Sequence, residues 1–429
     1  MPGNTPDTTF EENETFLTSP NFQDKITDHT QTVSPPKITI PKTVFDYRER
    51  LGALGCQIKF DEALLKNLEE ITPEKITVKS ANGTMEFIRF YPPGYDANSD
   101  ELLPTIFSVD GTAFTGVCYK TVKILAQFLA YQTKCQVIAV IPLLAPEYKF
   151  PHQLFYTYQC FMQIINEAEK YRINLELTSW CGYSSGANFV MAALYLNHRN
   201  QANFSNKILT FCHVKKPSEN LLARNPVIAL VSPLLILDLE KRNKNSSPKP
   251  DPLISPEFIE WCIQQYLEKN GQIKLKDARN PLASPGLIDS EKFYREFSAL
   301  LLLLTGQQDC TYWDTYELYE KVRQFPNVNV KLITGSWGHA SYWRESTLIE
   351  TVANNIAAVF ASRKLPPEIT INEKPSTITK QQKLPLYQTR RSTSLNFLLF
   401  GKTPTKEKTE SGKQPLIEEH LHLKNELYA

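Results

Sequence analysis

Gly182-Tyr183-Ser184-Ser185-Gly186 lies between a short apolar run, LTSWC (177–181), and a stretch with helix-spaced apolar residues Phe189, Ala193 and Leu196. A serine at a strand–turn–helix junction can be held on a sharp turn, with its hydroxyl exposed and the positive end of a helix directed at it. Those are the requirements of a nucleophile. Gly182 and Gly186 permit close backbone approach where a side chain would clash. The plain alternative is an ordinary Gly/Ser turn, and the five residues alone do not decide between the two.

A serine nucleophile also needs a base, an acid to orient the base, and amide donors for the oxyanion that develops on the substrate. His339, in GSWGHASYW, directly follows the apolar run VNVKLIT (328–334). Of the other histidines, His29, His420 and His422 fall in polar tails. His198 and His213 lie beyond Ser184 in helix or insertion, and His152 opens a helix after a proline. His339 is therefore the candidate general base. Asp309 follows SALLLLLT (298–305), the most apolar run of the chain, where a carboxylate could hold the imidazole in its useful tautomer. Asp314 competes for that role, and either aspartate could instead cap a helix over TYWDTYELYEKV.

The segments that would position these residues alternate in character. ITVKSANGTMEFIRFY (76–91) reads as a hairpin turning at Asn82-Gly83. PTIFSV (104–109), QVIAVI (136–141), LTSWC, PVIALV (226–231), SALLLLLT and VNVKLIT read as buried strands. Between them come helical spacings such as Phe155, Tyr158, Met162 and Ile165. Strands alternating with helices predict an α/β fold, a mostly parallel sheet covered on both faces, with antiparallel strands from the hairpin at one edge. In such sheets, reactive groups collect in the loops after the strands' C-terminal ends.

Composition narrows the class. A hydrophobic fraction of 41% and a net charge of +1 describe a globular chain with no charge bias toward nucleic acid. No apolar run approaches the length of a membrane span. The polar, acidic opening residues argue against an ordinary secretory signal peptide. The eight cysteines are scattered, with no Cys-x-x-Cys, and read as reduced thiols in a cytoplasmic setting. Residues 1–40 and 364–429 are polar and lack apolar periodicity, so both are expected to be disordered around a folded domain at 41–363. The second tail carries RRSTSLNFLLF (390–400), a candidate docking or phosphorylation segment for a partner. It ends in PLIEEHLHLKNELYA, with Glu418, Glu419 and Leu427.

Taken together, LLAPEYKFP (143–151), GYSSGAN (182–188), NPLASPGLID (280–289), GQQDC (306–310) and GSWGHASYW resemble, in order and spacing, the motifs of the hormone-sensitive-lipase-like esterases of the α/β-hydrolase superfamily. The resemblance covers about residues 75–362. It implies the α/β-hydrolase fold, a Ser-Asp-His triad of Ser184, Asp309 and His339, and hydrolysis of small esters or lipids without metal or organic cofactor. It also implies a helical cap built from residues 44–74 and 251–270, in which Phe258 and Trp261 would either line an acyl pocket or pack into the core. The tail ending in Glu418-Glu419 and Leu427 resembles export signals of bacterial effectors delivered into host cells, the alternative to a cytoplasmic location.

Two segments depart from the pattern: Pro142-Leu143 stand where the family has Tyr-Arg, and the loop after PTIFSV is altered. The family places His-Gly-Gly-Gly after the strand equivalent to PTIFSV, and this chain has Asp110-Gly111-Thr112-Ala113. Gly111, Thr112, Ala113 and Ser185 are the candidate oxyanion-hole residues, the Thr112 and Ser185 amides foremost. Residues with a Cβ can present amides there only if their dihedrals allow it. An ionised Asp110 facing the hole would oppose the oxyanion, so it must turn away and accept loop amides, or the site is not an ordinary esterase. Three functions therefore stay open, the first two being a serine carboxylester hydrolase and a catalytically degenerate hydrolase fold serving as a binding or effector module. Acyl transfer or peptide hydrolysis by the same triad is a third.

Overall fold

The computed structural model of the chain describes residues 41–54, 60–80, 83–96, 99–201, 227–242, 248–297 and 299–362. Both tails, with the 390–400 segment and the Glu418-Glu419 terminus, lie outside the described residues, as does the turn at Asn82.

The strands are β1 (Pro73–Ser80), β2 (Gly83–Phe90), β3 (Leu103–Val109), β4 (Gln136–Val140), β5 (Ile173–Tyr183), β6 (Val227–Val231), β7 (Leu300–Gly306) and β8 (Asn329–Gly335). They form one eight-stranded sheet in the order β1-β2-β4-β3-β5-β6-β7-β8. β1 and β2 pair antiparallel, β2 joins β4 antiparallel, and every later pairing is parallel. The sheet is that of an α/β-hydrolase. Pro73 opens the edge strand β1, where a missing N–H costs the ladder least.

The main helices are α1 (Val44–Leu54), α2 (Glu62–Glu69), α3 (Tyr119–Thr133), α4 (His152–Asn166), α5 (Ser185–Gln201), α6 (Pro256–Leu267), α7 (Tyr312–Val322) and α8 (Ser346–Ser362). Parallel strands are buried on both faces, which is why their sequences run apolar without alternation. Alternate residues still choose a side. Cys181, Ala229, Leu302 and Leu304 join the cluster that includes Val122 and Phe128 of α3 and Val352 and Ile356 of α8. Toward the other side, Phe107 and Trp180 stack at 4.8 Å between centroids and Phe161 of α4 meets Trp180 edge-on.

The structure differs from the sequence reading in several boundaries. β5 begins at Ile173, before the apolar run at 177, and its residues 174–177 are only partly covered or exposed. The N-terminal helical segment ends with α2 at Glu69, and 73–74 already belong to β1.

Candidate active site

The parallel strands end together: Val109 pairs with Gly182, Tyr183 with Val231, and Gly306 with Gly335. The loops that follow are therefore neighbours, although they are distant in the chain.

Ser184 is the single residue between β5 and α5. Its φ is +50°, in the left-handed region that costs a residue with a Cβ about 1 kcal/mol or more. Three backbone bonds hold it there: its N–H donates to Val231 O at 2.9 Å, and its carbonyl accepts Ala187 N and Leu234 N, both at 3.1 Å. The flanking glycines allow the turn to close. A Cβ on Gly186 would lie 2.1 Å from Val109 O, and one on Gly182 would lie 2.5 Å from Ala187 Cα.

The Ser184 hydroxyl lies 2.7 Å from His339 Nε2, and His339 Nδ1 lies 2.8 Å from Asp309 Oδ1. Ser184 and His339 are each 5% exposed and Asp309 is fully buried. Asp309 Oδ1 also accepts the Thr311 amide and hydroxyl, each at 2.7 Å, and Oδ2 accepts Thr305 Oγ1 at 3.3 Å. Burial alone would raise the Asp309 carboxyl, but the charge and hydrogen bond of His339, helped by the Thr311 amide, bring it below its ordinary value. Burial alone would lower the imidazole, yet the charge and hydrogen bond of Asp309, helped by Asp251, bring it above 6.5. Asp314 does other work: it accepts Leu235 N and Ile236 N at 2.8 Å and forms an ion pair with Arg242.

The loop after β3 answers the question posed by its missing glycines. Ala113 and Phe114 both take positive φ, 46° and 62°. Packing holds them there. The Phe114 ring stacks on Tyr266 at 4.2 Å, and its carbonyl accepts Ala145 N at 2.8 Å and Gln153 Nε2 at 3.0 Å. Gly111 is pressed against the serine, since a Cβ there would lie 2.9 Å from Ser184 Cβ. The Thr112 amide donates to Ser185 Oγ at 2.9 Å, and the two hydroxyls are 3.1 Å apart. Thr115 and Gly116 amides bond to Thr112 O. The Ala113 and Ser185 amides remain without a hydrogen-bond partner among the described residues; the latter is in the first turn of α5, where helix amides have no internal acceptor.

Asp110 is 5% exposed; its Oδ1 accepts Gly111 N at 2.7 Å, while Oδ2 is buried without a hydrogen-bond partner among the described residues. Burial pushes its carboxyl up to about 7, against the lowering influence of the Gly111 amide and the nearby Trp343 indole. The Trp343 Nε1 is itself buried and unpaired among the described residues, so that indole stands close without completing a hydrogen bond.

Two supports escaped the sequence reading. Arg48 of α1 forms a bidentate pair with Glu147 and also donates to Thr115 O and Ala145 O, tying α1 to the loop after β3. Tyr47 beside it packs on Phe258 and Trp261 of α6. Phe258 is buried, while Trp261 is partly exposed. Asp251 accepts the His339 amide at 2.7 Å. The one available signal was local: an aspartate before Pro252 whose side chain could take amides two and three residues on.

Asp309, Cys310 and His339 also bring potential metal ligands within 4.8 Å of one another. Asp309 Oδ1 and His339 Nδ1 are bonded to each other at 2.8 Å, so two of the atoms that could ligate an ion are already engaged, and burial pushes the Cys310 thiol well up. Among the described residues, no helix is long and apolar enough to cross a membrane.

A mostly parallel eight-stranded sheet with a serine in a strained turn between strand and helix defines an α/β-hydrolase. The family profile described as alpha/beta hydrolase fold matches residues 106–337, just over half the chain. The chain belongs to this family, that of the hormone-sensitive-lipase-like esterases. It is 27% identical over 201 residues to an arylesterase of Saccharolobus solfataricus, covering 46% of this chain and 55% of that one. It is likewise 27% identical over 188 residues to vegetative-specific protein H5 of Dictyostelium discoideum, covering 41% and 55%. The chain thus spans about half the length of these curated relatives. Among solved structures, the hyperthermophilic esterase of the archaeon Pyrobaculum calidifontis superposes with a TM-score of 0.58 at 18% identity, covering 75% of this chain and 93% of that one. A thermostable esterase from Pseudomonas putida ECU1011 also gives 0.58, at 14% identity and with 76% and 91% covered. These likenesses describe the fold.

Proposed function

We propose that the chain is a serine carboxylester hydrolase acting on small-molecule esters. Ser184 attacks the ester carbonyl, His339 takes its proton and returns it to the leaving alcohol, and Asp309 orients the imidazole and stabilises its charged form. Water, activated by the same histidine, then releases the acyl group from Ser184. The observation that carries this reading is the line Ser184 Oγ–His339 Nε2–Asp309, at 2.7 and 2.8 Å, on a serine held in a left-handed turn. The similarity to an arylesterase supports an ester as the substrate class.

The oxyanion falls to the amides of Ala113 and Ser185, with Gly111 giving the loop its close approach to Ser184 and Thr112 clamping it to Ser185. No step in this sequence calls for a metal or organic cofactor. The alternative, a binding module on the same fold, draws on one observation: the Thr112 amide is already engaged, leaving fewer donors for the oxyanion. The deciding test is turnover of short-chain p-nitrophenyl esters by the full chain and by Ser184→Ala. Turnover that disappears with the hydroxyl supports the hydrolase. Its absence from the unaltered chain, or persistence in the variant, supports the module.

A further inference from the structure

Asp251 is a buried carboxylate that reaches the Ser184–His339–Asp309 line from outside it. It lies in the loop before α6 and is 7% exposed. Oδ1 accepts Leu253 N and Ile254 N, both at 2.8 Å, which anchors the side chain to its own loop. Oδ2 accepts His339 N at 2.7 Å and Cys310 N at 3.4 Å. One carboxylate therefore joins the segment leading into α6, the residue after Asp309, and the histidine itself. The backbones are in tight contact at the same place: a Cβ on Gly338 would lie 2.7 Å from Pro252 Cδ and 3.1 Å from Asp251 Oδ1.

We propose that Asp251 is a positioning residue for His339, fixing the main chain at 338–339 so that the imidazole meets Ser184 and Asp309 together, and adding a second negative charge behind it. This rests on the hydrolase reading above. The charged and titratable groups around the imidazole are Asp309 at Nδ1, Asp251 behind its main-chain amide, the Cys310 thiol, which burial keeps protonated, and Arg242, whose charge opposes that of the carboxylates. Arg242 is directed elsewhere, to Asp314 and Cys310 O. Ser184 and Thr311 supply neutral hydroxyls at 2.7 and 3.3 Å. Asp251 thus acts with Asp309 in favouring the imidazolium that forms during catalysis.

Asp251→Asn tests this in the full chain. The asparagine keeps an oxygen for Leu253 and Ile254, but its NH₂ cannot accept the His339 amide. A shift of the base by a fraction of an ångström is expected to lower kcat by about 10- to 100-fold, with KM within about twofold. Removing the charge is expected to move the acid limb of kcat/KM to lower pH, as well as the imidazole titration followed by NMR and assigned with His339→Gln. A role in folding alone would lower kcat without moving either. Gly338→Ala is the companion variant: φ of −97° suits alanine, no titratable group is lost, and its Cβ wedges the histidine loop away from 251–252. The same two effects are expected, and this variant serves if Asp251→Asn does not fold. A folded variant with unchanged kcat, or with the imidazole titration unmoved, overturns the proposal. If the unaltered chain hydrolyses no ester, the hydrolase reading fails separately, and the NMR titration alone decides whether Asp251 holds His339.

Discussion

Replacing Asp110 by Asn should make the protein more stable at alkaline pH than at acid pH, relative to the unaltered chain. The carboxyl is raised from 3.8 to about 7 chiefly by burial, and the groups around it are Tyr47, Cys181, Tyr183 and Tyr342. Burial pushes each of those up as well, so all are neutral near pH 7, and none can compensate an Asp110 charge. A carboxyl raised in the folded state contributes its full stability below pH 3.8 and loses it as pH rises through about 7. At 1.36 kcal/mol per pH unit, ionising it in place costs roughly 4 kcal/mol in total, of which about 3 falls between pH 5 and 8. Asparagine keeps an acceptor for the Gly111 amide, which now bonds at 2.7 Å, and cannot ionise. Any pH-independent penalty of the substitution, including a mismatch with the Trp343 indole, cancels when the two proteins are compared across pH. Urea melts of both proteins at pH 5, 6, 7 and 8 would measure the difference. The unfolding free energy of Asp110→Asn minus that of the unaltered chain should grow by about 3 kcal/mol over that range. A difference that stays flat would show that Asp110 titrates as an ordinary carboxyl and that its burial has been misread.

Other expectations are more local. Asp309→Asn should keep the fold but lower kcat on the order of 10³- to 10⁴-fold in ester turnover, because the imidazole loses both its orientation and its counter-charge. The acid limb of kcat/KM should lie above 6.5, since His339 must be neutral to accept the Ser184 proton and its neighbours favour the charged form; a limb below 6.5 would contradict that balance. Ser185→Ala should release the Thr112 amide toward the oxyanion and raise kcat about tenfold, part of the usual worth of one donor; a fall would mean that the hydroxyl clamp matters more than the amide it occupies. Gly186→Ala should destabilise by at least about 2 kcal/mol in denaturant melts, because its Cβ would meet Val109 O at 2.1 Å, a backbone atom of the adjoining strand.

What could be read from the sequence follows from where the physics is local. SALLLLLT and PVIALV announce buried parallel strands because both faces of such a strand are covered, and residues that follow a strand end in an α/β sheet share one edge. Ser184, Asp309 and His339 could be selected on that rule, and their side chains do lie together. Asp251 could not, because its contact with His339 spans 88 positions and leaves no periodic trace. Nor could the Arg48–Glu147 pair, separated by 99. The loop after β3 shows a different limit. Ala113 and Phe114 occupy a backbone region that favours glycine, and they are kept there by Tyr266, Ala145 and Gln153, none of which is near in sequence. Local propensity would have predicted extended or helical dihedrals for both.

The most direct measurement of the central claim is covalent labelling of the full chain with a fluorophosphonate, with the adduct mapped by peptide mass spectrometry. A hydroxyl 2.7 Å from a buried, carboxylate-paired imidazole should react, giving a single adduct on Ser184 that is lost in Ser184→Ala and strongly slowed in His339→Gln. An unaltered chain that takes up no label, or a label that persists in Ser184→Ala, would contradict it.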